Sequence, residues 1–234
     1  MMIRTTLHRL PAPSPEARAA IAALERSVVA HDARMAELAC MTAVETGGRA
    51  ERAGPLAFPF TVAAWNLERC LFPLQSAEHL GATGAEIVLL SEMDDGMART
   101  RQAHTTADVA GELGMAYLYG VEFIELGLGS ETEREFCRDP YTRRGLHGNA
   151  LLSTVPLREP FLLRLAGERL WFMGAVDQPR LAQRMAIGGV IDTEAGPLVL
   201  VSTHLESATT AAWRERQMVG LIDALDATFP GLPV

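Results

Sequence analysis

The sequence predicts an α/β fold in which layered sheets pack against helices. Short apolar runs typical of strands, separated by turn signals, recur between residues 58 and 201. Helical patterns interrupt them, most clearly near 106–113 and 209–228, where helix-start residues precede a helical apolar periodicity. Several apolar runs also end in polar clusters, and strand ends are where a layered α/β domain holds functional side chains.

The composition is that of a globular domain. The 234 residues are 48% hydrophobic and 21% charged, which excludes disordered, collagen-like and coiled-coil proteins and suffices for one large domain, or one domain with an appendage. All 21 basic residues are arginines, and the 29 acidic residues leave a net charge of −8. A chain this acidic does not attract polyanions as a whole, so a nucleic acid or an anionic lipid would have to be bound locally.

The cysteines and the N-terminus bear on the cellular compartment. Cys40, Cys70 and Cys137 are odd in number and have no metal-binding spacing, so we interpret them as reduced thiols. The N-terminus lacks the apolar segment of a signal peptide, and no run approaches the roughly 18 apolar residues of a membrane span. These observations predict a cytoplasmic protein without a transmembrane segment.

Residues 1–54 are predicted to form an N-terminal helix and a linker. Ser14 and Pro15 are typical of a helix start, and the helix is predicted to run to about Thr42 with a narrow apolar seam. The glycine-rich residues 45–55 are predicted to be the linker. We expect the helix to pack on its own domain, with docking of a partner or another domain as the alternative. The main domain is expected over residues 55–234.

The main domain is predicted to contain strands, two helices and one long loop. The predicted strands comprise residues 58–65, 86–90, 116–126 and 150–154, a short pair at 161–165 and 170–173, and a hairpin at 185–192 and 197–201. The helices are predicted at 106–113 and 209–228. Residues 127–146 form a polar loop that is long for a compact domain, and it is a candidate wall of a substrate site.

Four apolar runs carry polar clusters at one end. The clusters are Asn66-Leu67-Glu68, Ser91-Glu92-Met93-Asp94, His147-Gly148-Asn149 and Ser202-Thr203-His204-Leu205-Glu206. Each cluster alone is ordinary, because such residues more often serve as turn residues or solvated side chains. Together they supply carboxylate and amide oxygens with imidazoles nearby, which is the chemistry of a site for a hard divalent cation.

In this order and at this spacing, the clusters resemble the endonuclease/exonuclease/phosphatase superfamily, which has the DNase I-like fold. The resemblance covers residues 58–234 and rests on Trp65-Asn66-Leu67-Glu68, Leu90-Ser91-Glu92-Met93-Asp94, Gly148-Asn149-Ala150-Leu151-Leu152-Ser153 and Ser202-Thr203-His204-Leu205-Glu206, with a looser match at Arg214-Glu215-Arg216-Gln217. It implies a four-layer αββα sandwich, in which two mixed sheets lie between layers of helices. Members of the superfamily hydrolyse phosphoester bonds with Mg²⁺ or a related ion such as Mn²⁺.

The resemblance also implies roles for individual residues. Glu92 and Asn66 correspond to metal-binding residues, and His204 corresponds to a catalytic histidine that contacts the scissile phosphate. Arg184 matches a phosphate-binding arginine of some nuclease members.

Two further residues lie where other branches of the superfamily keep side chains near the substrate. They are His147, as a phosphate-binding residue, and Asn149, as a catalytic residue.

The chemistry of phosphoester hydrolysis agrees with these assignments. The transition state spreads negative charge over the non-bridging phosphate oxygens. A divalent ion on Glu92 would neutralise that charge. An imidazolium at His204 and the guanidinium of Arg184 would donate hydrogen bonds to the same oxygens.

Two further motifs of the superfamily are absent. A Gly-Asp-x-Asn sequence should follow a strand that begins at Leu232, and an Asp-His pair should come later, but the sequence ends at Val234. We therefore expect a sandwich that is incomplete at its C-terminus and carries only part of the active site. We also expect an unpaired sheet edge and a tendency to self-associate.

Two functions are compatible with these observations. In the first, the chain is part of a Mg²⁺-dependent phosphoesterase that favours phosphodiesters over monoesters, and it has little activity by itself. Alternatively, it is a non-catalytic phosphate-binding or interaction module of the same fold. Nucleic acids, phospholipid head groups and small phosphodiesters all remain candidate substrates, because loops rather than the metal centre distinguish them.

Overall fold

In the computed structural model, which describes residues 2–174 and 178–234, the chain forms two β-sheets. The strands are β1 (Met2–Ile3), β2 (Thr6–Leu7), β3 (Val44–Gly48), β4 (Val62–Arg69), β5 (Ile87–Asp95), β6 (Ala116–Glu125), β7 (Leu146–Ser153), β8 (Arg158–Arg164), β9 (Arg180–Ala182), β10 (Met185–Thr193) and β11 (Gly196–Thr203). The helices are α1 (Pro15–Ala22), α2 (Val28–Glu37), α3 (Pro73–Ala82), α4 (Thr105–Leu113), α5 (Glu131–Arg134), α6 (Leu170–Met173) and α7 (Ala211–Thr228).

The larger sheet has the strand order β2-β3-β6-β7-β5-β4, and β9 pairs with the last residues of β6. β4 and β5 are parallel, whereas β7 is antiparallel to both β5 and β6. The C-terminal ends of β4, β5 and β6 therefore lie at one end of this sheet, beside the start of β7. The smaller sheet has the order β1-β8-β10-β11 with antiparallel pairs.

Three hydrophobic clusters show how the layers pack. Residues from both sheets, among them Ile87 and Ile187, form the interior between the sheets. A second cluster joins the outer face of the larger sheet to helices, for example through Val109 of α4. In the third cluster, Leu221 and Leu225 of α7 pack against the smaller sheet. The order helix, sheet, sheet, helix confirms the predicted four-layer αββα sandwich.

The N-terminal segment differs from the prediction. The continuous helix from Ser14 to about Thr42 is wrong, because α1 ends at Ala22 and the Ser27 side chain caps a second helix, α2. The predicted linker is wrong at its start, where β3 pairs with β6. A short glycine-rich strand has the composition of a linker, which explains the wrong prediction. Glycine fits at position 47 of the strand because a Cβ there would lie 2.4 Å from the Tyr117 ring.

Most elements after residue 55 begin and end near their predicted positions, including the hairpin of β10 and β11. Residues Leu170–Met173 are a short helix, so the strand predicted there is wrong. Neither α3 nor β9 was predicted. β7 starts at Leu146, earlier than predicted, and His147 and Asn149 therefore lie within the strand rather than before it.

The last helix, α7, matches its predicted bounds and follows the capping residue Thr210. Leu221 and Leu225 are buried, whereas Met218 and Ile222 of the same helix are 37% and 48% exposed. None of the helices in the described part of the chain is long and apolar enough to cross a membrane.

Candidate active site

Two neighbouring strands of the larger sheet are distorted at the same place. The pairing of β4 with β5 shifts register between Asn66 and Arg69, and the pairing of β5 with β7 shifts between Leu90 and Met93. Arg69 and Glu92 have φ angles of 76° and 63°, left-handed values that are uncommon outside glycine. Because such bulges redirect side chains, they concentrate polar groups at this end of the sheet.

The Glu92 carboxylate is the centre of the resulting group. Asn66 donates from Nδ2 to Glu92 Oε1 over 3.1 Å, while Asn66 Oδ1 accepts from the backbone N–H of Glu68 at 3.0 Å. From the smaller sheet, His204 Nδ1 lies 3.7 Å from Glu92 Oε1. Three of the predicted site residues, located on β4, on β5 and directly after β11, thus meet where the two sheets adjoin.

Arg184, which directly precedes β10, connects His204 to two carboxylates. Its Nη1 lies 3.1 Å from His204 Nδ1 and 3.1 Å from Glu122 Oε2, and its Nη2 donates to Glu206 Oε1 over 3.3 Å. Only 4% of Arg184 is exposed. Burial raises the pKa of Glu122, an effect that Arg184 opposes without cancelling. A fourth predicted residue therefore belongs to the same group, held by carboxylates of β6 and the loop after β11.

His204 is neutral at pH 7. Burial, reinforced by the positive charge of Arg184, lowers the pKa of His204 to about 4. The predicted imidazolium is therefore wrong. Because a guanidinium can only donate, Nδ1 of His204 accepts the hydrogen bond from Arg184 and the ring proton sits on Nε2. The neutral ring keeps one N–H donor for a ligand.

Arg69 is a site residue that the motifs do not predict. Its Nη1 donates to Glu92, and its Nε donates to Glu133 of α5, which lies inside the predicted polar loop. Glu133 also pairs with Arg99, whose Nη1 is 3.3 Å away. The position of Arg69 directly after the Asn66 cluster is the one sequence signal that could have found it.

A second, fully buried group of charges continues from Arg99. Arg99 donates to both oxygens of Asp94 over 2.8 Å and to Glu125 over 3.2 Å. Arg180 Nε lies 2.9 Å from Glu125 Oε1, and the Arg180 guanidinium stacks 4.7 Å from the Trp171 ring centroid. This buried group is joined to Glu92 through the chain of contacts Arg99, Glu133 and Arg69.

The structure does not bring His147 to the Glu92 group. Its Nδ1 is 2.8 Å from Asp94 Oδ1 inside the buried group, and its side chain is 1% exposed. Burial, with the positive charges of Arg69 and Arg99, lowers the pKa of His147 well below its usual range. In this structure His147 is enclosed and bonded to Asp94, and its phosphate-binding role stays a prediction.

Asn149 is also fully buried. Its Nδ2 donates to the backbone oxygen of Met185 over 3.4 Å, and its Oδ1 has no hydrogen-bond partner among the described residues. These contacts join β7 to the smaller sheet and do not connect Asn149 to Glu92. Its catalytic role stays a prediction.

Two clefts open beside Asn66. One, of about 360 Å³, lies between the edge strands of the two sheets, and its lining includes Trp65, Ser91, Ser202 and Thr203. The other, of about 550 Å³, is lined by residues of β4 and α3 and the segment between them. Because Asn66 lines both clefts, a ligand in either one lies next to the Glu92 group.

The chain is similar to several solved structures at low sequence identity. An endonuclease/exonuclease/phosphatase from Beutenbergia cavernae is 18% identical over 71% of this chain, with a TM-score of 0.50. The human Nocturnin catalytic domain with bound sulfate is 16% identical over 80% of this chain, with a TM-score of 0.48. D. rerio TDP2 complexed with a single-strand DNA product is 14% identical over 73%, with a TM-score of 0.40.

The similarity to the Beutenbergia structure covers 71% of this chain and supports the same fold. The chain has the DNase I-like fold of the endonuclease/exonuclease/phosphatase superfamily. No protein-family model matches the sequence, and no curated protein does. The chain spans 44% of the Beutenbergia chain, 63% of the Nocturnin chain and 56% of the TDP2 chain.

The DNase I-like fold implies a divalent metal, and the chemistry of the Glu92 group fits one. Mg²⁺ prefers oxygen ligands and is commonly held by one or two carboxylates together with water and phosphate oxygens. Glu92 supplies a carboxylate beside a cleft that Asn66 lines, and Asn66 carries an amide oxygen, Oδ1, which here accepts from the Glu68 N–H. In this structure the Arg69 guanidinium is bonded to Glu92 and neutralises the carboxylate charge that a bound metal ion would otherwise neutralise.

A different cluster in the DNase I-like domain, Glu45, Asp95 and His104, has potential ligand atoms within 4.8 Å of one another. Unlike Glu92, however, its two carboxylates are completely buried, and each is bonded to an arginine. Arg9 contacts Glu45 at 3.4 Å and Asp95 at 2.8 Å, and Arg144 contacts Asp95 at 2.8 Å. We therefore interpret this cluster as an ion-pair network that attaches the N-terminal segment to the larger sheet.

Proposed function

We propose that the chain carries part of the active site of a divalent-metal-dependent phosphoesterase that favours phosphodiesters over monoesters. The observation that carries the proposal is the meeting of Asn66, Glu92 and His204, from both sheets, beside the two clefts that Asn66 lines. The fold adds support, because proteins of the endonuclease/exonuclease/phosphatase superfamily are hydrolases of this kind.

Each side chain has a separate task in this proposal. Glu92 and Asn66 hold Mg²⁺ or Mn²⁺, which neutralises charge on the phosphate oxygens when it is bound. His204 donates a hydrogen bond from Nε2 to a non-bridging oxygen of the phosphate. Arg184 keeps Nδ1 of His204 unprotonated and adds positive charge beside the phosphate.

A second candidate function is phosphate binding without hydrolysis. The acidic residues after His204 favour it, because Glu215, Asp223 and Asp226 are exposed on α7, and Glu206 is bound to Arg184 and Trp171. None of these four carboxylates contacts Glu92 in the described structure. No acid from this part of the chain is therefore placed to activate water at Glu92, and we expect the chain to bind a phosphoester better than it cleaves one.

The substrate remains open within the class of phosphoesters. Nucleic acids, phospholipid head groups and small phosphodiesters all present the charged group that this site would bind.

A cytoplasmic location also remains part of the proposal, and the three free cysteines agree with a reducing compartment. Docking of a partner through the N-terminal helices is likewise a proposal.

The experiment that tests this function measures hydrolysis of bis-p-nitrophenyl phosphate in the presence of Mg²⁺ or Mn²⁺. It compares this chain with the protein encoded by the longest reading frame that contains it. We expect turnover in the longer protein that falls by about 10²–10³ in Glu92→Ala and in His204→Ala. Glu215→Ala, an exposed acid on α7, is the matched control.

The chain alone should show little turnover but should bind Mn²⁺ in a manner that depends on Glu92. Metal-dependent turnover that is unchanged by Glu92→Ala would contradict the proposal. Turnover by the chain alone above its Glu92→Ala control would instead contradict the claim that its site is incomplete.

A further inference from the structure

The contact between Arg69 and Glu92 bears on how a metal would bind at the proposed site. Arg69 and Glu92 both lie at the register shifts where β4 and β5 leave regular pairing. Their side chains are 16% and 14% exposed, so their interaction is only partly screened by solvent. The pair is thus a part-buried ion pair built into the backbone of the site.

A carboxylate bonded to a guanidinium is a poorer metal ligand than a free one. The bond from Arg69 Nη1 uses Glu92 Oε2, and Asn66 donates to the other oxygen, Oε1. A divalent ion brought to Glu92 would also stand next to the positive charge of Arg69, and like charges at this separation repel. A divalent ion at Glu92 therefore competes with Arg69 for this carboxylate.

The structure also provides a place for the displaced guanidinium. Arg69 Nε already donates to Glu133, which is 12% exposed on α5 and is fixed by a capping box with Ser130. A change in the side-chain torsions of Arg69 can move Nη1 away from Glu92 while Glu133 keeps the positive charge paired. Arg99 contacts Glu133 as well, so this carboxylate is oriented from two sides.

We propose that Arg69 is an internal counter-cation that competes with the divalent metal for Glu92, and that Glu133 holds its guanidinium when the metal displaces it. This inference rests on the proposed function, because it takes Glu92 to be a metal ligand. It assigns Arg69 and Glu133 as residues that position charge and set the metal affinity, not as catalytic residues.

Mn²⁺ affinity, measured on the folded chain without substrate by electron paramagnetic resonance of the free ion, tests the proposal. Arg69→Gln should bind Mn²⁺ at least about tenfold more tightly than the wild type, because the competing charge is gone. Arg49→Gln removes an equal charge from an exposed position beyond β3, at the other end of the larger sheet, and should change the affinity little.

Glu133 gives an independent arm of the test. Glu133→Gln should weaken Mn²⁺ binding, because the displaced guanidinium loses its partner, and the double variant with Arg69→Gln should bind like Arg69→Gln alone. Glu131→Gln, an exposed acid on the same short helix, is the matched control for the loss of charge. If Arg69→Gln fails to fold, Glu133→Gln decides, and unchanged or tighter binding overturns the proposal.

Glu92→Gln in the Arg69→Gln background separates this inference from the proposed function. If Glu92→Gln abolishes binding but Arg69→Gln and the wild type have equal affinity, Arg69 is not a competitor and the metal site still stands. Mn²⁺ binding that survives Glu92→Gln, or an absence of binding in every variant, overturns both.

Discussion

Arg184 donates from Nη1 to Nδ1 of His204 over 3.1 Å, and this contact determines which nitrogen of the imidazole carries the proton. The same Arg184 nitrogen lies 3.1 Å from Glu122, so the donor is held by a buried carboxylate of the other sheet. The site thus depends on both sheets being packed together, since β6 positions Glu122 while β10 and β11 position Arg184 and His204.

The first prediction concerns the tautomer of His204. Long-range ¹H–¹⁵N NMR spectra of the wild type at pH 7 should show a neutral ring protonated on Nε2, because Arg184 supplies a donor to Nδ1. In Arg184→Gln the amide side chain can either donate to Nδ1 or accept from it, so we expect a mixture of both tautomers. Spectra that show an imidazolium or an Nδ1–H ring in the wild type contradict this assignment.

Much of this site could be predicted from the sequence because its members stand at strand ends. Asn66, Glu92 and His204 each follow an apolar run. The parallel pairing of β4 with β5 and the packing of β11 beside them place those ends together. The charge state of His204 could not be predicted, since it depends on burial and on Arg184, which is 20 residues away in sequence.

Arg69 and the N-terminal segment show where sequence patterns are insufficient. An arginine after a strand has the pattern of a solvated residue, and only the bulge in β4 turns Arg69 toward Glu92. The strand β3 contains two adjacent glycines, Gly47 and Gly48, which are typical of a linker. Its strand character comes from pairing with β6, a contact between segments about 70 residues apart that no local pattern encodes.

The second prediction concerns Arg99, whose side chain is fully buried between Asp94, Glu125 and Glu133. Arg99→Leu leaves these carboxylates without their shared cation and should lower the free energy of unfolding by about 3–5 kcal/mol. Urea denaturation followed by circular dichroism measures the change. Arg101→Leu, at an exposed position two residues later, is the control and should stay within about 0.5 kcal/mol of the wild type. A loss below about 1 kcal/mol for Arg99→Leu contradicts the role of this network in stability.

The third prediction concerns the edge of the larger sheet. β4 is the last strand in the sheet order and pairs only with β5 among the described residues, and Val62 on it is 46% exposed. Exposed apolar edge strands pair with other chains, so light scattering should show concentration-dependent self-association.

Val62→Lys places a charge on this edge and should reduce the association. Val29→Lys, which changes an 80% exposed valine on α2, is the matched control and should associate like the wild type. A monomeric wild type, or equal association of the two variants, contradicts a role of the β4 edge.

The fourth prediction concerns acid stability and Glu45, which is buried between the N-terminal segment and the larger sheet. Burial alone would raise the pKa of Glu45, but the neighbouring His104, the Leu10 N–H and Arg9 outweigh it and lower the pKa to about 2. A pKa below the ordinary value of 4.5 means that the ionised form stabilises the folded state above that pH. This stabilisation, about 3 kcal/mol, is lost as the pH falls from 4.5 toward 2.

Glu45→Gln cannot titrate, so its deficit in unfolding free energy relative to the wild type should be largest near neutral pH and shrink steadily below about pH 4.5. Chemical denaturation of both proteins between about pH 6 and about pH 3 measures this difference. Glu215→Gln, at an exposed position, should show no such trend. A deficit for Glu45→Gln that is constant over this range means that Glu45 titrates alike in the folded and unfolded states, and the ion-pair network then contributes no pH dependence at this position.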